Sequence, residues 1–127
     1  MSEVAQFVVV PGSDSAFTLP DPKSGLNDRH FQDIHATDLN PARSAVVMFK
    51  VTPRGQIRLR MRFNAGSEHF IDFEFDAPAT TSTIPRSWHE VLAGSDLKPA
   101  DNELAVSVSG SGSVLLSDIV ILYHART

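Results

Sequence analysis

Between Gln56 and Phe63 apolar and cationic residues take strict turns, with Ile57, Leu59, Met61 and Phe63 set against Arg58, Arg60 and Arg62. A period of two is the mark of a strand with one face in the core and one in water. Glu68 to Phe75 repeats the period, placing His69, Ile71, Phe73 and Phe75 on one face and Glu68, Phe70, Asp72 and Glu74 on the other. If Ala65, Gly66 and Ser67 form a three-residue loop, Asn64 faces Glu68. The ladder then sets Met61 against Ile71, Leu59 against Phe73 and Ile57 against Phe75, with Arg60 opposite Asp72 and Arg58 opposite Glu74. A two-residue loop would place Arg60 against Ile71 and Arg58 against Phe73, mixing both faces, so the pattern predicts the register as well as the hairpin.

Further strands are expected at Val4 to Val10, His30 to Leu39, Ser44 to Thr52, Glu103 to Ser109 and Val114 to His124, with a short edge strand at Ala16 to Leu19. Pro53-Arg54-Gly55 and Gly110-Ser111-Gly112 carry turn chemistry. They predict three consecutive antiparallel strands from Ser44 to Phe75 and a second hairpin at the C-terminus. Ser87 and Glu90 stand in capping-box spacing before Gly94, which predicts one short helix over 88–93. The expectation is an all-β, antiparallel sandwich of jelly-roll type, about eight strands in a single domain over residues 1–127.

Composition narrows the chemistry. Across 127 residues, 42% are hydrophobic and eight are Phe, enough apolar area to offset the ordering entropy of a fold. The absence of Cys excludes disulfides, thiolate zinc sites and a cysteine nucleophile. A net charge of −4 supplies no field to gather nucleic acid or an anionic membrane. The N-terminus lacks the basic region of a signal peptide, and no apolar run approaches the ~18 residues of a membrane span, so a soluble, cytoplasmic chain is expected. The five histidines form no His-x-His pair, and His89-Glu90 is followed by Leu92-Ala93, so the zinc-protease signature is broken. Gly110-Ser111-Gly112-Ser113 lacks the Lys of a phosphate-binding loop. His35, two positions from Asp33, could form an acid–base pair, but no third member accompanies it. No catalytic residue is nominated, and the chain is not expected to be an enzyme.

The segment Leu97-Lys98-Pro99-Ala100-Asp101-Asn102-Glu103-Leu104-Ala105-Val106-Ser107-Val108 resembles the approach to a late strand in galactose-binding-like jelly-roll domains of the carbohydrate-binding-module type. The final strand, Leu116-Ser117-Asp118-Ile119-Val120-Ile121-Leu122-Tyr123, is similar to their Asp-containing last strand. The likeness is confined to residues 97–123, and Ala100 stands where the family pattern has Gly. It implies glycan recognition without catalysis, with Asn102 supporting its loop. It also implies a structural Ca²⁺ between Asp118 and an early loop bearing Asp28, Asp33 and Asp38, chiefly Asp33; the alternative is a metal-free Asp118 that accepts backbone amides.

Among the residues themselves, Trp88 with Arg86 and His89 is the candidate ligand-binding set, because an exposed indole stacks on a sugar face while polar neighbours bond its hydroxyls. The alternative is that Trp88 and Leu92, four apart on a helix, plug the end of the sandwich. The arginine stripe reads as a solvated face paired to Asp72 and Glu74. The last strand is apolar on both sides, with Leu115, Ile119, Ile121 and Tyr123 on one and Leu116, Val120 and Leu122 on the other; Phe7 to Val10 repeats the excess. A two-layer sandwich buries only one face of each sheet, so a homo-oligomer is expected. The rival to a small lectin is therefore a structural or assembly protein docking into a larger complex, with an enzyme of unknown type as a third reading.

Overall fold

The computed structural model describes residues 2–10, 16–65, 68–77 and 85–126. Eight strands are present among them: β1 (Glu3–Val9), β2 (Phe17–Leu19), β3 (Asp28–Ile34), β4 (Ala45–Phe63), β5 (Ile71–Ala77), β6 (Arg86–Leu92), β7 (Asn102–Gly110) and β8 (Ser113–Arg126). All their pairings are antiparallel. Sheet A runs β1 and β2, then β8, the first half of β4, and β6; sheet B runs β3, β7, the second half of β4, and β5. The fold is the expected antiparallel jelly-roll sandwich.

The 19-residue β4 is the frame of the molecule. Its odd-numbered residues Ala45, Val47, Phe49 and Val51 are buried in sheet A, and Ile57, Leu59, Met61 and Phe63 in sheet B. They meet Leu104, Val106 and Val108 of β7 and Leu116, Ile119 and Ile121 of β8 in one core. Burying each side chain of this size contributes ~1.5–3 kcal/mol. Pro53-Arg54-Gly55 is therefore no turn between two strands but the place where one strand changes sheets. Gly55 supplies the bend at φ 72°, and a Cβ there would come within 3.2 Å of Gly112.

The expected C-terminal hairpin is corrected in the same place. β7 lies in sheet B and β8 in sheet A, so Gly110-Ser111-Gly112 crosses between layers. The Gly112 amide donates to the Gln56 carbonyl at 2.8 Å, fastening that crossing to the bend of β4. The hairpin register, by contrast, is as read from the pattern: Met61 pairs Ile71, Arg60 pairs Asp72, Leu59 pairs Phe73, Arg58 pairs Glu74 and Ile57 pairs Phe75. Gly66 and Ser67 of its loop lie outside the described residues. On the solvated face Asp72 leans diagonally to Arg58 Nε at 2.6 Å and also accepts from Arg60 Nε at 3.3 Å. The Arg58 bond is the main reason its carboxyl sits at about 2 rather than 3.8. The pair's contribution is thus complete above pH ~4 and is lost as pH falls through ~2.

The helix expected over 88–93 is instead strand β6, and the one helical element among the described residues is a 3-10 turn at Gly94–Asp96. Ser87 to Leu92 satisfies two patterns at once, capping-box spacing and alternation. Tertiary structure chooses the second, because Ala45 to Val51 of β4 would otherwise leave an unpaired edge.

β8 carries the other departure. Lys50 pairs Ser117 while Met48 pairs Val120, so the single residue Phe49 faces both Asp118 and Ile119. Asp118 is the inserted residue of a β-bulge, at φ 55°, a left-handed conformation that Asp tolerates better than most residues. The bulge switches the inward parity from even to odd: Val114 and Leu116 are buried before it, and Ile119, Ile121, Tyr123 and Ala125 after it. Leu116 thus joins Ile119 in the core, and Leu115 joins Val120 and Leu122 outside.

Candidate functional site

The outer face of sheet A holds a groove of about 570 Å³ at its β2 end. Lys50, Thr52 and Arg54 alternate with core residues along β4 and so share this face. Strand pairing sets them against Ser117, Leu115 and Ser113 of β8, and Thr18 of β2 pairs Leu115 from the far side. Pro85, just ahead of β6, and Asp118 complete the lining. The bulge matters here, since it adds Asp118 to this surface, where its Oδ2 lies 3.4 Å from Lys50 Nζ. Both side chains remain more than half exposed, within reach of a ligand.

Four hydroxyls, from Thr18, Thr52, Ser113 and Ser117, offer paired donor and acceptor capacity, Lys50 adds a donor and Asp118 an acceptor, while Leu115 and Pro85 provide apolar area. No histidine lines the groove. Such a lining suits a polyhydroxylated ligand, whose apolar ring faces and hydroxyl edges need both kinds of partner. These residues escaped notice in the sequence because they are scattered over β2, β4 and β8; the available signal was polar alternation in Lys50-Val51-Thr52-Pro53-Arg54.

The predicted set of Trp88, Arg86 and His89 is divided by the strand. Consecutive residues of β6 face opposite sides, so Trp88 turns inward across from Phe49 while His89 turns outward across from Met48. Arg86 is exposed at the start of β6, on the same side as Trp88. The indole is half-buried against the core, its ring 5.0 Å from Phe73 and 5.7 Å from Phe75, and its Nε1 donates to Glu90 at 3.1 Å. Phe73 and Phe75 come from the edge of sheet B, so Trp88 closes the open side of the sandwich. Trp88→Ala is expected to cost ~2–3 kcal/mol, less than the ~3–5 kcal/mol for a fully buried aromatic because the ring is only partly enclosed. Thermal denaturation would read this as a loss of roughly 8–15 °C in melting temperature; a shift under ~2 °C would contradict the closing role.

The Ca²⁺ set is likewise separated. Asp118 faces the Lys50 ammonium in sheet A, whereas Asp33 lies near the end of β3 in sheet B, in a left-handed conformation at φ 59°. Asp28 accepts from His30, and among the described residues no group of three or more His, Asp or Glu could hold a metal. These residues do not fit a Ca²⁺ ion. The His35–Asp33 pair is also not formed as a unit: the Asp101 amide donates to His35 Nδ1 at 3.3 Å. His30 has both ring nitrogens engaged, Nδ1 with Glu103 at 2.9 Å and Nε2 with Asp28 at 3.1 Å. The Glu103 bond, then that of Asp28, raises its pKa, and with both nitrogens engaged the ring ties β3 to β7 and offers no free nitrogen for base chemistry.

No protein-family model matches the chain, and no curated protein matches it in sequence. Solved structures do. Dimeric latent PorU from Porphyromonas gingivalis superposes with a TM-score of 0.69 at 9% identity, over 99% of this chain but only 13% of that one. The CBM36-1 domain of a multidomain xylanase from the hindgut metagenome of Trinervitermes trinervoides gives 0.55 at 10% identity, covering 98% of this chain and 100% of that domain. A family 35 carbohydrate-binding module from Clostridium thermocellum gives 0.52 at 10% identity, over 94% and 90% of the two chains. The fold of this protein is the jelly-roll β-sandwich of carbohydrate-binding modules.

Proposed function

We propose that the protein is a glycan-binding module that recognises carbohydrate without transforming it, and that the groove on sheet A is its site. The observation that carries this reading is the groove's lining: four hydroxyls and an open Lys50–Asp118 pair around Leu115 and Pro85, on a fold shared with carbohydrate-binding modules.

The test is thermal denaturation against a panel of β-linked and α-linked oligosaccharides, followed by titration calorimetry on any that stabilise. A ligand present at 100 times its dissociation constant should add ~2.7 kcal/mol. Lys50→Ala should weaken binding roughly tenfold by removing a charge-assisted hydrogen bond, with little change in the melting temperature of the free protein. A panel without a single stabilising sugar would sink the glycan reading. Binding insensitive to both Lys50→Ala and Thr52→Val would move the site away from the groove, to the Trp88 and Arg86 edge.

A further inference from the structure

We infer that the apolar part of sheet A's outer face is a homodimer interface, in which a second copy of this chain packs its own sheet A face to face. Strand register builds the surface in two rows that cross β1, β8, β4 and β6. One row is Phe7, Leu122, Val46 and Val91; the next is Val9, Val120, Met48 and His89. Phe7 is 66% exposed and Val91 62%, while Val9, Met48 and Leu122 are also exposed. The outer face of sheet B shows what water requires of such a surface, for there Arg58, Arg60, Asp72, His30 and Glu103 replace the apolar residues.

Area and charge both select a second copy. The two rows carry seven apolar residues, five of them exposed, a patch on the order of several hundred Å² and at the upper end of what monomers leave in water. A standard interface buries ~800 Å² per partner, and homodimer interfaces are ~65% apolar, which requires about the same apolar area. The charges at the rim are closed within the chain, Lys50 with Asp118 at one end and Arg43 with Glu3 at the other, each at 3.4 Å. A two-fold axis through the patch therefore apposes neutral pairs without like-charge repulsion, whereas nucleic acid or an anionic membrane would need surplus cations. A sugar does not fit the rows, because its hydroxyls would lose water and find only His89 as a partner. Two copies of one sheet also carry the same twist, the condition for aligned face-to-face packing.

The experiment is light scattering coupled to size exclusion, on the whole chain over roughly 1–100 μM, the range in which an interface of this size should saturate. The expected mass is twice the 13.9 kDa of one chain. Phe7→Glu and Val91→Glu should each return it to a single chain, because either buries an unpaired carboxylate, while Arg62→Ala on sheet B should change nothing. Both glutamates sit on exposed edge-strand positions, and circular dichroism melts establish that the variants fold. A second measurement avoids a destabilising charge: with no native cysteine, Val91→Cys provides one thiol, whose reaction with a maleimide should slow as the protein is concentrated. A wild-type mass of one chain throughout the range overturns the dimer and leaves the face to a different partner. A dimer that survives both glutamates, or a thiol whose labelling ignores concentration, overturns this face as its interface.

Discussion

Deleting Val120 should unfold the protein, while deleting Asp118, two positions earlier in the same strand, should leave it folded. The contrast follows from side-chain parity. With Asp118 gone, Leu116, Ile119, Ile121 and Tyr123 still turn inward and Leu115, Ser117, Val120 and Leu122 still turn outward, because the deletion removes only the inserted residue of the bulge. Lys50 still pairs Ser117 and Met48 still pairs Val120, now as a regular ladder. What is lost is the exposed contact of Asp118 with Lys50, offset by relief of a left-handed residue, so a net change within ~1–2 kcal/mol is expected. With Val120 gone, either Ile121 and Tyr123 rotate to the solvent face or the bulge collapses and Asp118 takes the buried place of Ile119. Each alternative costs more than ~4 kcal/mol, a large part of the ~5–15 kcal/mol that holds an ordinary domain. Urea unfolding followed by circular dichroism decides it. If both deletions unfold the chain, the bulge is itself indispensable and parity is not what it manages.

Asn102→Ala should cost ~3–5 kcal/mol, the largest effect expected from any single substitution outside the apolar core. Asn102 is 1% exposed and completely satisfied. Its Nδ2 donates to the carbonyls of Ile34 at 2.9 Å and Lys98 at 2.6 Å, and its Oδ1 accepts from the Lys98 amide at 2.8 Å and from Asn64 Nδ2 at 3.1 Å. One side chain thus joins the end of β3, the segment before β7 and the end of β4. Alanine removes four bonds at once and leaves the buried Ile34 carbonyl, with the part-buried Lys98 carbonyl and amide, without these partners, which is the expensive case for hydrogen bonds. Asn102→Asp should be as damaging at neutral pH, since a carboxylate would face two carbonyl oxygens. Its folded-state pKa would be raised, so the deficit should shrink as pH falls toward 4, where protonation restores a donor. An alanine variant within ~1 kcal/mol of wild type in urea unfolding would refute the supporting role.

How far the chain could be read without its structure depended on whether the decisive interaction was local. The Gln56–Phe63 alternation and the loop after it determined the register of β4 with β5, because a slip by one residue would expose every core side chain on both strands. The segment from Leu97 to Val108 pointed to Asn102 as a supporting residue, and its four bonds agree. The short strand at Phe17–Leu19 and the sandwich class were also legible, the latter from the frequency of strands and turns. The register needed only neighbours within one hairpin, whereas Asn102 was pointed to by a resemblance and its partners on β3 and beside β4 lie far off in the chain.

What the tertiary structure decided lay where two local readings were equally good and distant strands chose between them. Pro53-Arg54-Gly55 can turn a chain or bend a strand, and the presence of β8 on one side and β5 and β7 beyond it made the bend the arrangement that pairs every strand. Ser87 to Leu92 can cap a helix or alternate as a strand, and the open edge of β4 drew it into sheet A, turning Trp88 inward and His89 outward. The groove of Lys50, Thr52, Leu115, Ser117 and Asp118 exists only once β8 lies beside β4 with its inserted residue in place. Local patterning therefore specified which residues seek the core. Which apolar surfaces met, and which polar side chains that meeting gathered, was settled by backbone pairing between strands far apart in the chain, because an unpaired edge costs more than a local preference of a few tenths of a kcal/mol per residue can repay.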